Sequence, residues 1–381
     1  MIKVKNMIAD IFVLGSCLLS FTCNSPTGLG ASAQPGSRNY AWTTDTLSPS
    51  AVFGPSVYHL RAIWGSSPTD VWTGGTLHNT PQYNLFHFDG LTWTGLKIQS
   101  DIWTVFGFTS NDVWSGGEGT GGEIWHFDGH AWSKSLSYKP SNAYDVVIQD
   151  IYGTNPNDVY AVGTIVMNPS YLNIQRGIIL HYAGSEWKEV YTANYQSQFE
   201  RVRVDEKGSV YLSGERYAYT ASGDTELTDT QLLYQFRNGL MSQIYSDASG
   251  NGVSNVEEIG LNVIFVLTSI STVSHDIYRY DYLNSYFNTG GQFLQGKFVK
   301  LFSVSDPHFD GQIYGRSEND LFLTDYDGIA HWNGTDVKRL FTFSNNFTFI
   351  PTPTIFEKEV FFCVSDGLNN VNMVVHGKLT E

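Results

Sequence analysis

Residues 63–75 read IWGSSPTDVWTGG, and the same letters return as VFGFTSNDVWSGG at 105–117 and as IYGTNPNDVYAVG at 151–163. Each copy is trailed by a second signature: FHFDGLTW at 86–93, WHFDGHAW at 125–132 and LHYAGSEW at 180–187. Weaker copies follow. GSVYLSG (208–214) is paired with YQFRNG (234–239), and NVIFV (262–266) with IYRY (277–280). NDLFL (319–323) is paired with AHWNG (330–334), and EVFFC (359–363) with VVHG (374–377). Anchored just before the apolar–aromatic pair, the copies start at 70, 112, 158, 209, 262, 320 and 359, spaced by 42, 46, 51, 53, 58 and 39 residues. Recurrence on this scale marks a repeat architecture. The count is seven units, three sharp and four degraded.

The local chemistry divides each unit into four strands. The first ends at the Gly of the Trp-Gly-Ser turn. In the loop that follows, Pro fixes φ and Asp or Asn caps nearby amides. The second strand is the D-V-W run. The third is the H-F-D run, whose Asp-Gly or Asn-Gly is the strongest short hairpin signal. The fourth begins with Trp. One such sheet cannot cover both of its faces, so neighbours must stack, and a repeated four-stranded unit of this length is a propeller blade. The fold class expected is therefore all-β, a seven-bladed β-propeller with four-stranded blades over residues 40–381. The last unit lacks a Trp-led fourth strand, and YAWTTDTL (40–47) precedes the first unit unpaired. Placing that N-terminal strand in the last blade closes the ring and leaves no raw inner edge.

Composition agrees. Aromatics make up 15% of 381 residues and there are 37 Gly, which suits pleated surfaces joined by tight turns. The formal charge of −15 argues against a nucleic-acid partner, since phosphate binding needs clustered Lys and Arg. It also disfavours adsorption to anionic lipid headgroups. Three cysteines, Cys17, Cys23 and Cys363, build no disulfide framework. Cys363 sits in an apolar strand and reads as an inert buried thiol.

The first residues are an address rather than a fold. Lys3 and Lys5 precede an apolar run at 11–22, too short to span a bilayer. Residues 1–22 read as a signal peptide, and the Ser-, Gly- and Pro-rich 23–39 as a flexible tether. The arrangement resembles a bacterial lipoprotein signal, in which a Cys after the apolar run receives the lipid. Cys23, in SFTC, leaves the fuller apolar run. Cys17, in LGSC, is the closer match to the lipobox letters and is the alternative. The resemblance implies an exported, envelope-located chain held to a membrane through its lipid anchor alone. A monomer is expected.

The F-D-G-x-x-W hairpins resemble a relaxed Asp-box, as in sialidases, sortilin-type receptors and the photosystem II assembly propeller. The combined pattern is similar to exported bacterial propeller proteins, strongly over 56–190 and weakly beyond. The resemblance implies that Asp89 and Asp128 satisfy amides of their own hairpins, and that Trp93 and Trp132 pack between blades. Ala183 breaks the pattern in unit three, where Trp187 remains. Such a motif implies a fold and says almost nothing of substrate.

Features that recur in every unit serve architecture. His87, His126, His181 and His331 sit on different blades and cannot converge on one ion, so no metal is expected. Asp70, Asp112, Asp158 and Asp320 repeat at one turn and read as loop caps. No cofactor and no singular catalytic carboxylate pair emerges. A sialidase would draw arginines from several blades, whereas Arg201, Arg203 and Arg216 crowd into one. First strands line the channel of a propeller, which makes Arg61, Trp103, Asp150, Arg201 and Glu258 candidates for a site at its mouth. Long excursions at 164–177, 215–230 and 285–310, with Tyr171, Tyr217 and Tyr219, are candidate recognition loops. The leading functional reading is a non-enzymatic envelope lipoprotein that binds protein or glycan partners through loops. The alternatives are a glycoside hydrolase or lyase with its site at the channel mouth, and an envelope scaffold.

Overall fold

The computed structural model describes residues 36–47, 59–76, 83–167, 175–194, 196–205, 208–216, 230–246, 251–259, 262–269, 274–281, 297–343, 352–366 and 371–380. All regular structure among them is β. Cys17 and Cys23 lie outside the described residues, as do Tyr171, Tyr217 and Tyr219.

Strand β1 (Tyr40–Thr46) comes first in the chain. The next four strands, β2 (Leu60–Ser67), β3 (Asp70–Gly75), β4 (Leu85–Phe88) and β5 (Trp93–Leu96), form the first sheet. The second holds β6 (Thr104–Thr109), β7 (Asp112–Glu118), β8 (Gly122–Phe127) and β9 (Trp132–Tyr138). The third holds β10 (Asp145–Asn155), β11 (Asp158–Val166), β12 (Gln175–Tyr182) and β13 (Trp187–Thr192). The fourth holds β14 (Ser197–Val204), β15 (Val210–Arg216), β16 (Thr230–Arg237) and β17 (Leu240–Ser246). The fifth holds β18 (Asn251–Ile259), β19 (Asn262–Ser269), β20 (Ser274–Asp281) and β21 (Lys297–Val304). The sixth holds β22 (Phe309–Ser317), β23 (Asp320–Asp325), β24 (Gly328–Trp332) and β25 (Val337–Thr342). The seventh is ordered β26 (Thr354–Ile355), β27 (Glu359–Asp366), β28 (Val371–Leu379) and then β1. Every pairing in these sheets is antiparallel.

The described residues thus form repeated four-stranded antiparallel sheets that resemble propeller blades, and the second strands begin at the repeat anchors, the fourth one residue after its own. One expectation is corrected. The excursion at 285–310 is not a loop throughout, because Lys297–Val304 is the outer strand of the fifth sheet, paired with β20. That strand lacks a leading Trp, and its run KFVKLFSV alternates only loosely, so nothing in the repeat pattern announced it.

First strands pack on first strands: β2 on β6, β6 on β10, β10 on β14, β14 on β18, β18 on β22 and β22 on β26. Strands β26 and β27 in turn pack on β2. The apolar residues of these contacts are the core. Leu60 and Val71 share one cluster with Phe361, Cys363 and Val374 of the seventh sheet.

β1 runs antiparallel to β28, with Trp42 opposite Gly377. A Cβ on Gly377 would stand 2.6 Å from the Trp42 ring, so the indole occupies the space that this glycine leaves. The segment is also tied to the sixth sheet. Arg316 donates to the Tyr40 hydroxyl at 2.7 Å and to Asp320 at 2.8 Å. Arg38, which the sequence reading puts in the tether, donates to Asp336 at 2.8 Å and to the His331 carbonyl at 2.7 Å.

Candidate functional site

The recurring polar residues pair with each other inside their own sheets. His87 Nε2 meets Asp70 Oδ1 at 2.6 Å, His126 meets Asp112 at 2.8 Å, His181 meets Asp158 at 2.7 Å and His331 meets Asp320 at 2.6 Å. The seventh sheet repeats the arrangement with His376 and Glu359 at 2.7 Å. Most of these imidazoles also stack on an aromatic ring of the second strand, as on Trp72 at 4.1 Å and Trp114 at 4.0 Å between centroids. The anchor aspartates, expected as loop caps, each hold the imidazole of the next strand, and the turn amides are met by Ser67, Thr109, Asn155 and Ser317. At Asp320, burial raises the carboxyl pKa, but bonds from His331 and Arg316 outweigh it and hold the group below its ordinary range.

The hairpin signatures are local too. Asp89 Oδ1 accepts from Leu91 N at 2.9 Å and Thr92 N at 2.8 Å, and Asp128 Oδ1 accepts from His130 N and Ala131 N at 2.9 Å. These amide bonds draw both carboxyls down in pKa. Gly129 follows at φ +91°, a conformation that side chains with a Cβ rarely adopt. Trp132 packs edge-on to Trp72 of the preceding sheet at 5.4 Å, and Trp187 to Trp114 at 5.6 Å. Trp93 donates its indole N–H to Asp45 on β1 at 3.1 Å.

What does not recur is the lining of one pocket of about 120 Å³, to which the first-strand segments of all seven sheets contribute. Its two walls differ. Asp150, Arg201, Arg203 and Glu257 come from β10, β14 and β18, whereas Trp64, Val105 and Phe106 come from β2 and β6.

The charged wall is a bonded network. Arg203 donates from Nη1 to Asp150 Oδ2 at 2.8 Å, and from Nε and Nη2 to Glu257 at 3.0 and 2.7 Å. Asp150 also accepts from Thr104 Oγ1 at 3.1 Å, Ile151 N at 3.0 Å and Val202 N at 3.1 Å. Burial works against the charge on Arg203, and the two carboxylates more than offset it, so the guanidinium pKa lies above its ordinary value. Tyr152 lies under the same guanidinium at 5.1 Å. Arg201 differs. It reaches from β14 to the segment before β26 and donates to Thr352 Oγ1 at 2.7 Å, and this is its one hydrogen bond to a described residue.

Of the sequence candidates, Trp103, Asp150 and Arg201 line this pocket. Arg61 is not among the lining residues, and its guanidinium lies 4.2 Å over the Trp103 ring. The position named at Glu258 is one residue out: the pocket is lined by Glu257, while Glu258 pairs with Val263 and its side chain is outside the described residues. The sequence groups Arg203 with Arg201 and Arg216 in one unit and carries no sign of the network it centres. Both wall carboxylates hold Arg203, and burial raises the Glu257 pKa above its ordinary value although Arg203 and Arg201 oppose the rise.

No family model and no curated protein matches this sequence. Among solved structures, the chain is similar to the β-propeller domain of Cps50 (Swd1) from Myceliophteria thermophila. The TM-score is 0.56 and the identity 7%, over 90% of this chain and 100% of that one. It is also similar to an acylaminoacyl peptidase from Pyrococcus horikoshii, with a TM-score of 0.50 and 11% identity, over 81% of this chain and 49% of the peptidase. At such identities the likeness is one of fold.

Proposed function

We propose that this chain is an exported, lipid-anchored envelope protein, that its sheets are the seven blades of one propeller closed by β1, and that it works by binding rather than catalysis. The partner, a protein or a glycan, presents a protruding group to the pocket where the first strands meet. The observation that carries this reading is the Arg203 network. It spends both wall carboxylates on structure, while Arg201 and the aromatic wall remain to meet a ligand. Closure is supported by the β1–β28 pairing and by the packing of β26 and β27 on β2. Lipid attachment at Cys23, with Cys17 as the alternative, rests on the signal-like N-terminus.

The test is a glycan and peptide array probed with soluble residues 36–381 and with Trp103→Ala. Binding that weakens in the variant supports the reading. Binding indifferent to Trp103→Ala and Arg201→Gln would move the site to the loops, and turnover of an arrayed glycan would replace binding with hydrolysis.

A further inference from the structure

The two walls of the pocket specify a ligand class, an inference that rests on the pocket being the binding site. We infer that the pocket receives a carboxylate joined to an apolar or aromatic group, with Arg201 as the carboxylate receptor.

A guanidinium carries five N–H donors in a planar fork that matches a carboxylate. Arg203 has spent its fork on Glu257 and Asp150. Arg201 uses one N–H, toward Thr352, and its remaining donors are the ones open to a ligand. Lining the same pocket are Trp64, Val105 and Phe106, all nine-tenths or more buried. Such walls favour an apolar body, and aromatic pairs add specific geometry. The size fits: about 120 Å³ is close to the cavity that holds one benzene ring.

Charge chooses among anions. Asp150 and Glu257 balance the charges of Arg201 and Arg203 on this wall, so one negative charge on a ligand already exceeds the local balance and a dianion such as phosphate exceeds it twice over. A monoanion meets less repulsion and keeps the fork geometry. The carboxylate can belong to a small free acid or to the C-terminal residue of a polypeptide ending in an apolar side chain.

Calorimetric titration of residues 36–381 with 3-phenylpropionate, its amide and inorganic phosphate tests the chemistry without any variant. A tetrapeptide ending in Phe, with a free or an amidated C-terminus, separates the two sources. The acid should bind roughly 10- to 100-fold more tightly than the amide, the worth of a hydrogen bond to a charged group. Arg201→Gln should erase that preference, Arg201→Lys should restore part of it, and phosphate should not compete. Acid and amide binding equally, with Arg201→Gln unchanged, would overturn the carboxylate assignment and leave the pocket as the site. No binding of any probe, with array binding still lost in Trp103→Ala, would do the same. No probe binding together with array binding indifferent to Trp103→Ala would overturn the pocket itself.

Discussion

Arg203 and Glu257 meet as a two-pronged pair between neighbouring sheets, with Nε–Oε2 at 3.0 Å and Nη2–Oε1 at 2.7 Å. Both side chains are about nine-tenths buried. Removing one partner of such a pair strands the other's charge in a poorly solvated place. Arg203→Met leaves Asp150 as well as Glu257 without its cation, and should cost about 3–5 kcal/mol of stability in urea unfolding. An unchanged midpoint would mean that the network is not structural.

The seam between β1 and β28 carries the second expectation. A chain beginning at residue 48 loses Trp42, Tyr40 and the one bond that Tyr40 accepts from Arg316, and bares the edge of β28. Exposed strand edges invite pairing with other chains. Relative to residues 36–381, it should melt at a lower temperature and scatter light as concentration rises. Equal melting would show that the N-terminal strand adds nothing to the stability of the seventh sheet.

Tryptophans of the hairpin signature should matter more than its aspartates. Trp132 lies against Trp72 and Phe127 between two sheets, and Trp132→Ala should cost about 3 kcal/mol. Asp128→Ala loses two amide bonds at an exposed turn and should lower the melting temperature only slightly. Paired thermal melts read both, and a reversed order would contradict the architectural role given to the Trp.

Much of this was legible because each unit repeats its anchors. Asp70, Asp112 and Asp158 open β3, β7 and β11, and Trp93, Trp132 and Trp187 open β5, β9 and β13. The pocket was legible only in part, for a physical reason. β2, β6 and β10 each end in a bulge before the turn, at Gly65/Ser67, Gly107/Thr109 and Gly153/Asn155. β18 has none there, with Glu258 opposite Val263 and Ile259 opposite Asn262. A missing residue in a two-residue period turns each side chain to the opposite face, which is why Glu257 and not Glu258 lines the pocket. The His–Asp pairs were half legible. Their recurrence marked them as structural, but which acid met which imidazole needed the register of strands two and three.

Stability should fall as pH rises from about 4 to about 8. Burial and Asp145 raise Glu118 to about 8, burial and Glu215 raise Glu200 to about 7, and burial raises Asp325 to about 7. A carboxyl with a raised folded pKa holds its proton where the unfolded chain has released it, so stability declines across that window. The lowered carboxyls, Asp320 among them, act in the other direction and lose their contribution only as pH falls below about 4. The melting temperature should therefore be higher at pH 5 than at pH 8, and Asp325→Asn should flatten the slope. A rise from pH 5 to pH 8 would contradict these environments.

Crystals of soluble residues 36–381 grown with the strongest array binder give the most direct measurement. The account places the binder's density in the first-strand pocket, with its polar group within hydrogen-bond distance of Arg201 and its apolar part against Trp64 and Phe106. Density held by outer strands or connecting loops, with the Arg201–Thr352 bond undisturbed, would contradict it.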